Sequence, residues 1–334
     1  MGQKPGNIAV LGGGSWGTAL AIQIARADIN VCMWDINAEH VQRMQQDGSN
    51  EAHLPGIPFP ASLKVSDSLQ ATIEQSQTLL LVVPSHAMRG FLQSAKAFIR
   101  ADHHIVWATK GLEEGTGKLM HQIIAEELPE CQFTAVISGP TFAREVAEGL
   151  PTAITAASAS DDMAAEIVSF FHHDNFRVYT SEDITGVELG GALKNVLAIA
   201  SGVSDGLGFG ANTRAALITR GLHEIISIGH AMGAKPETFM GLAGMGDLLL
   251  TCTDNQSRNR QMGLKLAQGL TVEQAREEIG QAVEGVKTAK EAFQLAQKYG
   301  VECPIIEQAY RVLYEGRAPK EALKILLSRG SKAE

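Results

Sequence analysis

Glycines 12, 14 and 17 stand in Val10-Leu11-Gly12-Gly13-Gly14-Ser15-Trp16-Gly17-Thr18-Ala19, behind the apolar run Ile8-Ala9-Val10-Leu11 and ahead of Ala19-Leu20-Ala21-Ile22, which reads as helix. That spacing suits the holding of a pyrophosphate, or else it is a glycine-rich turn of some other α/β protein; the strand before it, the helix after it and Asp35 agree with the first. Gly12 lets the chain turn sharply, Gly14 lets bare backbone approach the phosphates, and Gly17 lets helix and strand pack closely. The new helix aims its unpaired N–H groups and the positive end of its dipole at the anion. Asp35 closes a second apolar run, 30–34. An acid there hydrogen-bonds a ribose 2′-hydroxyl and repels a 2′-phosphate.

Lys194 lies in Gly190-Gly191-Ala192-Leu193-Lys194-Asn195-Val196-Leu197-Ala198-Ile199-Ala200, apolar on nearly every side, which reads as a central buried helix. Burial disfavours the charged ammonium and lowers its pKa. Such a lysine can take a proton from a hydroxyl as its carbon loses hydride, and return it in reverse. The plainer alternative is a lysine that snorkels to the surface or pairs with Glu188. Lys110, in Ala108-Thr109-Lys110-Gly111, closes a strand. It is either a second cation that polarises a substrate oxygen and lowers the Lys194 pKa, or an exposed strand-end lysine.

Asn255-Gln256-Ser257-Arg258-Asn259-Arg260 precedes a helical run at 261–268. It offers a dianionic phosphate N–H groups, a dipole and a guanidinium fork, or else it is a capped helix with solvated arginines. Asp247 ends the glycine-studded turn Gly241-Leu242-Ala243-Gly244-Met245-Gly246-Asp247. It could bond a substrate hydroxyl, fix Lys194, or cap the turn at 248–250. The pairs His103-His104 and His172-His173 lack companions at metal-ligand spacing, so no metal is assigned.

The elements that must carry these residues change character along the chain. Strand-like runs at 8–11, 30–34, 78–83, 104–109, 133–138, 152–156 and 176–180 alternate with helical stretches. The first of them are apolar on consecutive positions, as strands buried on both faces of a parallel sheet should be. The pattern predicts an α/β fold with a Rossmann-type doubly wound sheet over residues 1–182. Ligands of such sheets sit beyond the carboxyl ends of the strands. The turns Val83-Pro84-Ser85-His86, Thr109-Lys110-Gly111 and Ser138-Gly139-Pro140-Thr141 should therefore line the cleft. The proline-rich segment 48–61 reads as a surface connection. From residue 183 to 334 only helical segments follow, at 187–201, 213–232, 271–280, 286–298 and 303–328, the last broken near Gly316 and Pro319. This half should be an all-helical substrate-binding and catalytic domain.

With 334 residues the chain is long enough for two cores. Its net charge of -9 argues against a nucleic-acid face or a polybasic membrane patch. The four cysteines are far apart with no Cys-x-x-Cys, as expected of buried thiols in a reducing compartment. The first strand begins too early for a signal peptide, and no apolar run approaches ~20 residues. The cytoplasm is the expected location.

Six blocks in this order resemble the bacterial NAD(P)-dependent sn-glycerol-3-phosphate dehydrogenases. They are the glycine fingerprint, Lys110-Gly111, Ser138-Gly139-Pro140-Thr141-Phe142-Ala143, Gly191-Ala192-Leu193-Lys194-Asn195, Gly244-Met245-Gly246-Asp247 and Ser257-Arg258-Asn259. The resemblance runs from about residue 7 to about residue 325. It implies a 6-phosphogluconate-dehydrogenase-like domain pair and reversible reduction of dihydroxyacetone phosphate to sn-glycerol 3-phosphate for phospholipid synthesis. It also implies NAD(H) or NADP(H) as cofactor, and a homodimer. Lys194 would then be the proton acceptor, and Lys110, Gly139, Thr141, Asp247, Ser257, Arg258 and Asn259 would hold substrate. Ser15, Trp16, Lys110, Ala143, Arg258 and Glu284 would touch the dinucleotide. Several such relatives that use NADPH carry a neutral or basic residue where this chain has Asp35, which predicts NAD(H) used at least as well as NADP(H). A β-hydroxyacid dehydrogenase and a non-catalytic dinucleotide sensor are the competing readings. Ser257-Arg258-Asn259 and Gly246-Asp247 favour the triose phosphate over the first, and a buried lysine would be useless to the second.

Overall fold

A computed structural model describes residues 6–330; the outermost residues of both expected domains, 1–5 and 331–334, lie outside them. Eight strands form one sheet: β1 (Ile8–Leu11), β2 (Val31–Trp34), β3 (Leu63–Ser66), β4 (Thr78–Leu81), β5 (His104–Trp107), β6 (Thr134–Ser138), β7 (Thr152–Ala157) and β8 (Phe176–Ser181). Their order is β3-β2-β1-β4-β5-β6-β7-β8. Every neighbouring pair is parallel except β6 with β7. Strands β1 and β4 are buried at all four positions, which explains their unbroken apolar sequences. The doubly wound sheet is as expected, and the strand order reverses beside β1, where the glycine turn begins.

One strand escaped the sequence pattern. Leu63–Ser66, with only two apolar residues among four, forms β3 at the sheet edge and pairs with β2 alone. An edge strand meets one neighbour and needs little apolar surface, so its signal is weak. Nor is the segment 48–61 merely a surface connection. Asn50, Leu54 and Ile57 are buried, and Ser49 bridges Pro58.

The chain divides into two compact units, but not at a single cut after residue 182. Residues 6–109 with Met120–Ile184 form one unit, and Lys110–Leu119 with residues 185–330 form the other. The ten-residue segment joins the helical unit because Leu112 and Leu119 are buried in that unit's core. In addition, the Gly115 N–H donates to Glu291 at 3.0 Å.

The helical unit is built around Ile184–Gly206, a 23-residue helix buried over most of its length. It contacts the helix Arg258–Ala267 backbone to backbone. A Cβ at Gly202 would lie 2.1 Å from the Arg260 carbonyl oxygen, and one at Gly263 would lie 2.1 Å from that of Ile199. Only a hydrogen atom fits on either side of this crossing. Gly90, on the helix Met88–Ala95, has nothing within 4 Å of such a Cβ. Gly202→Ala should therefore lower stability by about 1–3 kcal/mol or more. Gly90→Ala should raise it by up to about 1 kcal/mol. Thermal unfolding of both variants checks the pair, and equal effects would contradict the packing described.

Candidate active site

The sheet unit shapes its glycine turn with backbone. Gly12 has φ +128, and a Cβ there would sit 2.8 Å from the Val82 carbonyl oxygen. A Cβ at Gly17 would fall 1.9 Å from the Gly12 carbonyl oxygen, so the helix Ser15–Ala25 packs against the turn only with glycine in place. Gly14 caps that helix in an extended conformation with no side-chain hydrogen bond, and nothing lies within 4 Å of where its Cβ would be. An open backbone face at a helix N-terminus is the shape a pyrophosphate requires, so the residues present fit a dinucleotide.

The turn is locked from two sides. Asp35, just past β2, accepts the Gly13 N–H at 3.0 Å and the Asn37 N–H at 2.9 Å. Asn50, fully buried, donates to the Gly13 carbonyl and to Thr18 Oγ1, both at 2.8 Å, and its own oxygen lies 3.0 Å from His40 Nε2. Sequence reasoning missed Asn50 because it sits in the segment read as surface. Its only cue, a lone asparagine after Gly48-Ser49, has no periodicity. Ser15 directs its hydroxyl to the His53 carbonyl at 2.8 Å, and Trp16 packs partly buried against the core. Beyond β6, Gly139 has φ +154, and a Cβ there would meet Ile154 Cα at 2.9 Å. Thr141 donates to the Gly139 carbonyl at 3.1 Å, and Ala143 opens the helix Ala143–Glu148.

The helical unit supplies a different kind of site, made of charged side chains. Lys194 is 6% exposed and Asp247 is 0% exposed. Lys194 Nζ donates to Asp247 Oδ1, while Lys110 Nζ donates to Asp247 Oδ2 at 2.8 Å. One buried carboxylate thus bridges two ammonium groups, and Lys194 neither snorkels nor relies on Glu188 for this pairing. Desolvation lowers the Lys194 pKa to about 8; the Asp247 charge opposes the shift and the Lys110 charge adds to it. The amine is therefore poised near neutrality with a defined hydrogen-bond partner.

Asp247 reaches this position on a π-helical turn, Leu242–Gly246, that runs into the helix Asp247–Thr253. Single π turns inside helices are frequent where a functional side chain must be re-aimed. Gly190, one turn before Lys194, admits this turn: a Cβ there would lie 2.5 Å from the Ala243 carbonyl oxygen. Thr251 closes the far side, its hydroxyl donating to the Asp247 carbonyl at 2.6 Å. Of the three roles open to Asp247, fixing Lys194 is the one the geometry displays.

The block expected to hold phosphate begins its helix earlier than the sequence pattern indicated. The helix is Arg258–Ala267, and Ser257 is its N-cap, accepting the Arg260 N–H at 3.2 Å. A serine cap satisfies an orphan donor at the first turn, which lets the helix begin three residues sooner. Arg258 is exposed and donates to Gln281 Oε1 at 3.1 Å. Asn259 joins three segments: its amide donates to Asn195 Oδ1 at 2.9 Å and accepts the Gly285 N–H at 2.9 Å. Glu284 opens the helix Glu284–Tyr299 beside that contact. Arg260, which the sequence reading did not single out, is buried and bonds Asp205 Oδ2 at 2.5 Å and Asn255 Oδ1 at 3.1 Å. It anchors the loop that precedes the cap.

The helical unit thus brings together Lys110, Lys194 and Asp247. It links the neighbouring Asn195 to Asn259, with Ser257, Arg258 and Glu284 adjacent in sequence to that contact. Gly12, Gly14, Ser15, Trp16, Gly17 and Asp35 gather at the glycine turn of the sheet unit, to which Gly139, Thr141 and Ala143 also belong. Among the described residues no group of three or more His, Cys, Asp or Glu side chains could hold a metal ion.

Two family profiles match this chain. Residues 7–164 match the N-terminal part of the NAD-dependent glycerol-3-phosphate dehydrogenases, and residues 183–324 match their C-terminal part. The glycerol-3-phosphate dehydrogenase [NAD(P)+] of Vibrio parahaemolyticus is 52% identical over 328 residues, covering 98% of this chain and 95% of the relative. The protein of that name from Aeromonas hydrophila is 53% identical and covers 98% of each. The crystal structure of glycerol-3-phosphate dehydrogenase from Coxiella burnetii superposes with a TM-score of 0.94 at 47% identity, covering 97% of this chain and 99% of that one. With both halves matched in order, and relatives about half identical along nearly its whole length, the chain belongs to the NAD-dependent glycerol-3-phosphate dehydrogenase family.

Proposed function

We propose that this protein interconverts dihydroxyacetone phosphate and sn-glycerol 3-phosphate with NAD(H) or NADP(H), supplying glycerol 3-phosphate for phospholipid synthesis. The observation that carries the reading is the buried Lys194–Asp247–Lys110 cluster in a chain that also holds an open dinucleotide turn. The nicotinamide, when bound, supplies or accepts the hydride. In the reductive direction protonated Lys194 donates to the carbonyl oxygen as negative charge develops there; in the oxidative direction neutral Lys194 takes the hydroxyl proton. Asp247 holds the Lys194 amine in one orientation, and Lys110 adds a cation beside the same oxygen.

Arg258 and the N–H groups at the Ser257-capped helix start hold the phosphate, with the remaining amide N–H of Asn259 available to it. Gly139 and Thr141 contribute to substrate holding from the sheet unit, where Gly12, Gly14, Ser15, Trp16, Gly17, Asp35 and Ala143 serve the dinucleotide. Lys110, Arg258 and Glu284 are assigned to the dinucleotide as well. Binding energy at the phosphate, remote from the reacting carbon, fixes the geometry for transfer. The reading includes a homodimer acting in the cytoplasm. Among the described residues no helix is long and apolar enough to cross a membrane.

Removing the amine tests the reading directly. Lys194→Ala should lower turnover of dihydroxyacetone phosphate by roughly 100-fold to 10,000-fold, while NADH binding, followed by fluorescence titration, stays intact. Turnover of a hydroxyacid in place of the triose phosphate would overturn the substrate assignment.

The pH profiles should run in opposite directions. Because Lys194 titrates at about 8, ketone reduction requires the protonated amine and falls as pH rises through that value. Alcohol oxidation requires the neutral amine and rises over the same interval. Parallel profiles for the two directions would contradict Lys194 as the proton carrier.

Asp35 should favour NADH. Wild-type kcat/KM for NADH is expected to equal or exceed that for NADPH, and Asp35→Ala should move the ratio toward NADPH. Because Asp35 also holds the Gly13 N–H, the variant should bind both cofactors more weakly. A strong NADPH preference in the wild type contradicts the assignment.

A further inference from the structure

One buried acid of the helical unit has no part in the reaction as described. Glu291, on the helix Glu284–Tyr299, is 1% exposed. Its Oε1 accepts the Gly115 N–H at 3.0 Å, and its Oε2 is buried with no hydrogen-bond partner. Burying a carboxylate is costly, so what its bonded oxygen holds is the question. It holds a loop. Gly115 and Gly117 have φ +84 and +66, and the turn closes through Gly117 N–H to the Glu113 carbonyl and Glu113 N–H to the Lys118 carbonyl, both 2.9 Å. Leu112 and Leu119 bury the two ends in the helical core. Lys110 begins this segment and places its ammonium on Asp247.

A second tie joins the same loop to the same helix: Glu114 pairs with Lys287 at 3.0 Å, with side chains 57% and 36% exposed. Exposed pairs of this kind contribute little. The Glu291 contact is the buried one.

We propose that Glu291 is a positioning residue for the reaction: by holding Gly115 it fixes the Lys110–Leu119 loop and keeps the Lys110 ammonium on Asp247, beside Lys194. The inference rests on Lys194 as proton carrier. Freeing the loop withdraws one cation from Lys194 and leaves it the whole of Asp247. Both changes strengthen its hold on a proton. The groups facing Lys194 are Asp247 and Cys252 from the helix Asp247–Thr253, and Lys110 from the loop. Burial pushes the Cys252 thiol up to about 12, so it stays neutral through the working range. Arg260 and Asp205 pair with each other nearby.

The test is the pH dependence of kcat/KM for glycerol 3-phosphate oxidation, combined with amide hydrogen exchange across the loop. Glu291→Ala should move the midpoint to higher pH by about one unit and accelerate exchange at Gly115. Glu291→Asp, too short to reach Gly115, should move it in the same direction. Glu291→Gln, whose amide oxygen still accepts the same N–H, should restore the wild-type midpoint, and Glu114→Ala should leave it unchanged. A loss of rate that is equal at every pH, with an unmoved midpoint, would overturn the proposal. If Glu291→Ala does not fold, the comparison of Glu291→Asp with Glu291→Gln decides. A wild type inactive on glycerol 3-phosphate would overturn the functional reading instead. In that case unchanged Gly115 exchange in Glu291→Asp would overturn the fastening as well.

Discussion

A single carboxylate, sealed from water, holds two ammonium groups delivered by separate segments of the chain. An ammonium at the depth of Lys194 needs that carboxylate, because an unpaired buried charge is too costly. With both present, Asp247 cannot fully satisfy either, and the cluster keeps a surplus positive charge. Desolvation brings Lys194 down to about 8, against the opposing charge of Asp247 and with a smaller contribution from the Lys110 charge. The proposed proton transfer draws on that burial.

Much of the helical unit serves to assemble the cluster. The 23-residue helix Ile184–Gly206 carries Lys194 through the core. Gly190 clears the space into which the π turn brings Asp247, since any side chain there would strike the Ala243 carbonyl. Asn195, the residue after Lys194, is tied through Asn259 to Gly285, so the same helix registers the helix Arg258–Ala267 and the helix of Glu284 and Glu291. The sheet unit uses the opposite strategy. Its turn offers backbone rather than charge, and the side chains of Asp35 and Asn50 hold that backbone in shape.

The parts legible in the sequence were those whose reason is local. The glycine fingerprint was readable because its three glycines stand within six residues, and the structure displays a steric demand at Gly12 and Gly17 and open space at Gly14. The buried strands β1 and β4 and the buried Lys194 helix announced themselves by unbroken apolar runs. Edge strand β3 did not, having two apolar residues and one neighbour. The early helix start at Arg258 was hidden because a serine is either a cap or a ligand until its hydrogen bond is seen. Asn50 gave no pattern at all.

By itself the sequence determined the alternating α/β half, the helical half, the glycine turn and the burial of Lys194, because these depend on periodicity and on residues close in the chain. Tertiary structure alone decided the partners. Lys194 meets Asp247 across 53 residues, and Lys110 meets it across 137. The sequence left two partners open for Lys194, Glu188 close by in the chain and Asp247 far along it. Packing decided for Asp247, because a buried charge takes whichever opposite charge the fold brings within reach, and sequence separation does not measure that distance. For the same reason Lys110–Leu119 joins the helical unit although it follows a strand of the sheet.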